Sequence, residues 1–90
     1  MKHYCIKVYG KVQGVFFRDS TRKKAGELAL TGFVRNEPDG SVYIEVEGED
    51  IELEKFVSWC NAGPSNAKVE HVEIRESSIK IFKDFKISRF

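Results

Sequence analysis

The chain of ninety residues, 41% hydrophobic with fifteen basic side chains against fourteen acidic ones, suffices for one compact domain over residues 1–90 and leaves no room for a second. Its net charge of +1 argues against a general nucleic-acid binder, whose domain would be distinctly basic. No run has the apolar length of a membrane span or a signal peptide, so the sequence points to a cytoplasmic protein without membrane contact.

From about His3 to Tyr9 the residues alternate as in a strand, with Tyr4, Ile6 and Val8 on one side and Cys5, Lys7 and Tyr9 on the other. One side is expected to be buried. Gly10-Lys11-Val12-Gln13-Gly14-Val15-Phe16-Phe17-Arg18 then reads as a turn from strand to helix. Its glycines allow backbone conformations closed to other residues, and the helix start leaves amide hydrogens without partners. Such amides bind anions.

A helix runs from Phe17 to near Ala29 and Leu30, with Phe17, Thr21, Ala25 and Leu28 spaced along its buried stripe. Arg18, Arg22, Lys23 and Lys24 crowd its first turns, where the macrodipole is already positive and cations are unfavourable. The second helix obeys the dipole, opening with Glu49, Asp50, Glu52 and Glu54. A bound anion, most simply a phosphate, would offset the breach in the first. Two uses fit Arg18: a surface ion pair with Asp19 or Glu37, or capture of a phosphoryl group. Its planar fork and its place at a helix start favour the second.

A second strand spans about Gly32 to Asn36, and Glu37-Pro38-Asp39-Gly40 forms a turn. The third strand sets Val42, Ile44 and Val46 inward and Tyr43, Glu45 and Glu47 outward, ending at Gly48. A helix from about Asp50 to Asn61 buries Leu53, Phe56, Val57 and Cys60, places Trp59 at its margin and stops at Gly63-Pro64. Ala67 to Arg75 and Ile79 to Ser88 read as two more strands, and the phase of Val69 and Val72 calls for a bulge. Cys5 and Cys60 lack metal-ligand spacing and read as buried free thiols. His3 and His71 lie in strand patterns without metal-ligand company, as structural or exposed residues.

This order of elements gives an α+β fold, a ferredoxin-like split βαβ sandwich. An antiparallel sheet carries two helices on one face, the third strand lies between the first and second, and a C-terminal extra strand is added. The first and second strands then run the same way, which brings Asn36 to the sheet edge of the glycine loop, on the side of Val34. Spacing alone leaves Asn36 a turn-initiating role.

No Gly-x-x-x-x-Gly-Lys-Ser/Thr, Gly-x-Ser-x-Gly or His-Glu-x-x-His motif is present, no cysteine lies in the loop before Arg18, and no acidic cluster makes a convincing metal site. A phosphate cradle without nucleophile, metal or strong base can act only on a bond that is already reactive, such as a mixed anhydride.

Gly10 to Arg18, then Gly32-Phe33-Val34-Arg35-Asn36 with Asp39-Gly40-Ser41-Val42 and Gly48, resemble the two signature motifs of the acylphosphatase family. The likeness continues through Ala62-Gly63-Pro64 and Ala67-Lys68-Val69 to Phe85. It implies hydrolysis of acyl phosphates, carboxyl-phosphate anhydrides such as acetyl phosphate, to a carboxylate and inorganic phosphate, with no metal and no cofactor. It also implies roles: the amides of Gln13, Gly14, Val15, Phe16, Phe17 and Arg18 hold the phosphoryl oxygens, Arg18 binds and stabilises them, and Asn36 positions the attacking water. Thr21, one turn after Arg18, would support the site from behind. Inorganic phosphate would be product and inhibitor, and without a general base the rate should depend weakly on pH near neutrality. Ala29, Phe33 and Ser65 depart from the glycine, tryptophan and proline common in the family. Alanine at the first of these either ends the helix differently or carries strain.

Two other classes remain. An RNA-recognition module would use Tyr4, Tyr9 and Tyr43 for stacking, but Glu45 and Glu47 on the third strand would repel phosphate. An anion-binding regulatory domain would keep the cradle without turnover; the pair Arg18 and Asn36 favours catalysis. The fold itself needs no partner, so a monomer is expected.

Overall fold

The alternating N-terminal segment forms strand β1, Lys2–Lys11, in a computed structural model that describes residues 1–89. It is followed by α1 (Phe17–Glu27), β2 (Thr31–Asn36), β3 (Val42–Gly48), α2 (Asp50–Ala62), β4 (Lys68–Ser77) and β5 (Phe85–Ile87). The sheet order is β4-β1-β3-β2-β5. β1 pairs antiparallel with β3 and β4, and β2 antiparallel with β3, whereas β5 runs parallel to β2. The extra strand therefore makes the expected antiparallel sheet a mixed one.

Period-two alternation sends Ile6, Val8, Val34, Val42, Ile44 and Val46 to one face of the sheet, where Phe17 and Ala25 of α1 and Leu53, Phe56 and Cys60 of α2 complete the core. Each large side chain buried there contributes about 1.5–3 kcal/mol. The helices meet through Phe17 and Trp59, whose rings lie 5.6 Å apart. The bulge required by Val69 and Val72 falls at Glu70: Tyr9 pairs with His71 but Gly10 with Val69, so both valines pack on the core. Gly10 has φ +128°, and a Cβ there would stand 2.1 Å from the Lys68 carbonyl oxygen, so the chains approach this closely only because the residue is glycine.

The first helix ends at Glu27, short of the expected limit. Leu30 N–H reaches back to the Ala25 carbonyl at 2.9 Å and Ala29 N–H to that of Gly26 at 3.2 Å. This closure puts Ala29 at φ +55°, a left-handed conformation that costs a residue with a Cβ about 1–2 kcal/mol.

Four expectations fail on the sheet face away from the helices. The last strand is confined to Phe85–Ile87 rather than Ile79 to Ser88, because the preceding backbone is diverted: the N–H groups of Lys80, Ile81 and Phe82 all donate to the Glu47 carboxylate. That strap covers the face, so Glu45 and Glu47 are 7% and 2% exposed instead of facing water, and β1 is buried on both sides at His3 and Cys5. His3 has ligand-type company after all, since its ring lies between the two glutamates, 2.8 Å from Glu47 Oε2 and 2.9 Å from Glu45 Oε1. Burial pushes the Glu45 carboxyl up, but hydrogen bonds from Tyr43 and Lys80 and the charge of Lys80 outweigh it and hold the group below its ordinary value. The same contest at Glu47 is won by the Lys80 and Phe82 amides and His3, again downward. Cys5 and Cys60 are buried free cysteines, as expected.

Candidate active site

Strand register creates the site. Val42 of β3 pairs with Val8 on one side and Asn36 on the other, so the end of β2 stands level with the end of β1, where the glycine loop begins. Asn36 shares the face of Val34 and points toward the start of α1. Between them lies a cleft of about 270 Å³ lined by Val12, Gly14, Phe16, Phe17, Arg18, Asp19, Asn36, Ile87 and Arg89.

The loop is held in two ways. Gln13 Nε2 donates to the carbonyls of Glu37 and Ser41, each at 2.8 Å, which fastens it to the turn between β2 and β3. Phe16, the residue before α1, takes φ +59°, a left-handed conformation, and its side chain gives the helix no cap. The first amides of α1, on residues that line the cleft, thus have no partner from the helix or from a capping side chain, a concentration of partial positive charge. Non-glycine strain of this kind, about 1–3 kcal/mol, tends to sit at functional sites.

Arg18 joins those amides from the first turn. It forms no ion pair among the described residues; the competing partner Glu37 is engaged by Arg35, Nε to Oε2 at 3.1 Å. Asn36 brings the opposite polarity, because its Oδ1 is buried and meets no donor among the described residues. A buried acceptor without a partner, in a residue that lines the cleft, marks the position as one not settled by packing alone. The arrangement thus sets uncapped amides and a cation across one cleft from an amide side chain whose oxygen is buried and unpartnered.

Of the residues singled out from sequence, Gly14, Phe16, Phe17, Arg18 and Asn36 line the cleft, while Gln13 and Val15 do not. The Gln13 side chain is spent on the staple, and Val15 packs into the core. Thr21 is buried beneath the site, where its hydroxyl donates to the Phe17 carbonyl at 2.7 Å. Ile87 and Arg89 went unnoticed because they reach the cleft only through the parallel pairing of β5 with β2, which local sequence does not encode; the one available signal was a basic residue just beyond the last apolar run. No group of three metal-ligating side chains meets in the cleft among the described residues; the group His3, Cys5 and Glu45 lies on the other face of the sheet.

The acylphosphatase family model matches residues 4–87. The chain is 51% identical over 75 residues to an acylphosphatase of Rubrobacter xylanophilus, covering 83% of this chain and 68% of that one. It is 50% identical over 80 residues to that of Marinobacter nauticus, covering 88% and 87%. The crystal structure of acylphosphatase from Bacillus subtilis superposes with a TM-score of 0.96 at 37% identity, covering 99% of this chain and all of that one. With the motif-bearing loop and β2 both inside the matched span, the chain belongs to the acylphosphatase family of hydrolases.

Proposed function

We propose that the cleft hydrolyses acyl phosphates to a carboxylate and inorganic phosphate without a metal ion. The observation that carries this reading is the opposition, across one cleft, of Arg18 with the uncapped start of α1 and the buried, donorless Oδ1 of Asn36. The amides of the loop and helix start, from Gln13 to Arg18, receive the phosphoryl oxygens, and the Arg18 guanidinium binds them through its planar fork. The side-chain amide of Asn36 holds a water by hydrogen bonding and aims it at phosphorus. As the water oxygen bonds to phosphorus, the bond from phosphorus to the acyl oxygen breaks; the electron pair leaves on the carboxylate and the water proton passes to the phosphate. A carboxylate leaves without protonation, so the site needs positioned charge rather than a strong acid or base.

The ninety residues act, on this reading, as one monomeric domain in the cytoplasm, without nucleic acid or membrane. Two buried free thiols fit a reducing compartment. No described helix is long and apolar enough to cross a membrane.

Benzoyl phosphate hydrolysis by the purified protein in EDTA tests the proposal. We expect turnover, competitive inhibition by inorganic phosphate, and a loss on the order of a hundred- to thousandfold in Arg18→Ala. A folded parent that binds phosphate but hydrolyses nothing would make the cleft a regulatory anion site instead.

A further inference from the structure

We propose that His3, Cys5 and Glu45 form a transition-metal site, best suited to zinc, on the sheet face opposite the catalytic cleft. Cys5 pairs with Glu45 across β1 and β3, and His3 occupies the next position on the same face of β1, opposite Glu47. Their ligand atoms, an imidazole nitrogen, a thiol sulfur and a carboxylate oxygen, all lie within 4.8 Å of one another, and all three residues are buried.

The second observation concerns the histidine itself. His3 is 0% exposed, and its Nε2 approaches Glu45 Oε1 to 2.9 Å without making an aligned hydrogen bond to that or any other atom among the described residues. Two donor atoms close together but not bonded to each other are disposed to converge on a third. The far side of the ring is built accordingly: Nδ1 is 2.8 Å from Glu47 Oε2, and Glu47 is fixed in turn by the backbone amides of Lys80, Ile81 and Phe82. A carboxylate behind the imidazole is the usual outer support of a metal-bound histidine, setting its tautomer and orientation.

Mixed nitrogen, sulfur and oxygen donors suit zinc, with three protein ligands leaving a position for water. The cation now beside Glu45 is the Lys80 ammonium, Nζ to Oε1 at 2.9 Å, on a side chain 54% exposed and free to turn toward solvent. Metal binding replaces that ammonium, and the Cys5 thiol proton is released to solvent as the thiolate bonds to the metal. The ion would cross-link β1 and β3 and, through Glu47, the strap at 80–82. The inference is independent of the proposed hydrolysis, which uses the other face.

The test is titration of chelator-stripped protein with cobalt as a spectroscopic stand-in for zinc, followed by zinc competition. We expect one equivalent to produce a thiolate-to-cobalt absorption band that zinc abolishes, that survives in Cys60→Ser and in His71→Gln, and that is lost in Cys5→Ser and His3→Gln. Glu47→Gln should weaken binding about 10- to 100-fold. In the unmodified chain, zinc should slow alkylation of Cys5, read by mass spectrometry, which removes dependence on any variant's folding. Absence of the band at saturating cobalt together with unprotected Cys5 would overturn the proposal and leave an ion-pair network only. A band that persists in Cys5→Ser would overturn it as well.

Discussion

The side-chain amide of Gln13 donates a 2.8 Å hydrogen bond to the carbonyl of Glu37, joining the loop before α1 to the turn after β2. The carbonyl of Ser41 accepts a second such bond, and both carbonyls also keep backbone partners, from Gly40 at 3.1 Å and Glu37 at 2.9 Å. Gln13→Ala therefore orphans neither acceptor and should cost about 1–2 kcal/mol of stability. The loop amides lose their fixed position, so kcat should fall by roughly tenfold or more. Urea unfolding and steady-state kinetics on the same preparation separate the two effects.

Ala29 holds φ +55° at the end of α1. Ala29→Gly removes a steric cost of about 1–2 kcal/mol against an entropic loss of about 0.4–1 kcal/mol through the freer unfolded chain. We expect a net gain of roughly 0.5–1 kcal/mol and a thermal midpoint higher by a few degrees, with turnover unchanged.

Asp39 accepts from both the hydroxyl and the amide of Ser41 and pairs with Lys7 at 3.0 Å. Those hydrogen bonds and the lysine hold its carboxyl at about 2, below the ordinary 3.8. A depressed folded-state value means the stabilisation is full above pH 3.8 and is lost as the pH falls toward about 2. Thermal unfolding of Asp39→Asn beside the parent should show the parent's advantage at pH 6 shrinking across that window.

Phe16 is 74% exposed at the mouth of the cleft, where its ring can lie against an apolar acyl group. Phe16→Ala should raise KM for benzoyl phosphate several-fold, on the order of 1 kcal/mol of lost apolar contact, while KM for acetyl phosphate stays close to that of the parent. Equal effects on both substrates would place the loss in the loop backbone rather than in acyl recognition.

Much of this fold was legible because single periodicities dominate its elements. Val42, Ile44 and Val46 alternate, Leu53, Phe56 and Cys60 recur at helical spacing, and turn chemistry between β2 and β3 forces a hairpin. Arg18 showed through its breach of the helix dipole. Asn36 did not: a turn asparagine and one facing a cleft are identical in local sequence, and only the family resemblance separated them. The opposite sheet face was misread because burial of Glu45 and Glu47 depends on a strap arriving more than thirty residues later. That strap has no periodicity of its own, since its amides bond to a side chain and not to a strand. Ile87 and Arg89 stayed hidden for the same kind of reason, being placed by a three-residue parallel pairing.

The most direct measurement is turnover of benzoyl phosphate against binding of inorganic phosphate in Asn36→Ala. On the proposed roles, in which the amides and Arg18 hold the anion and Asn36 serves the water, we expect phosphate affinity within about threefold of the parent and kcat lower on the order of a hundred- to thousandfold. An Asn36→Ala protein that turns over at the parent's rate, or that loses phosphate binding and turnover together, would contradict the division of labour between the two sides of the cleft.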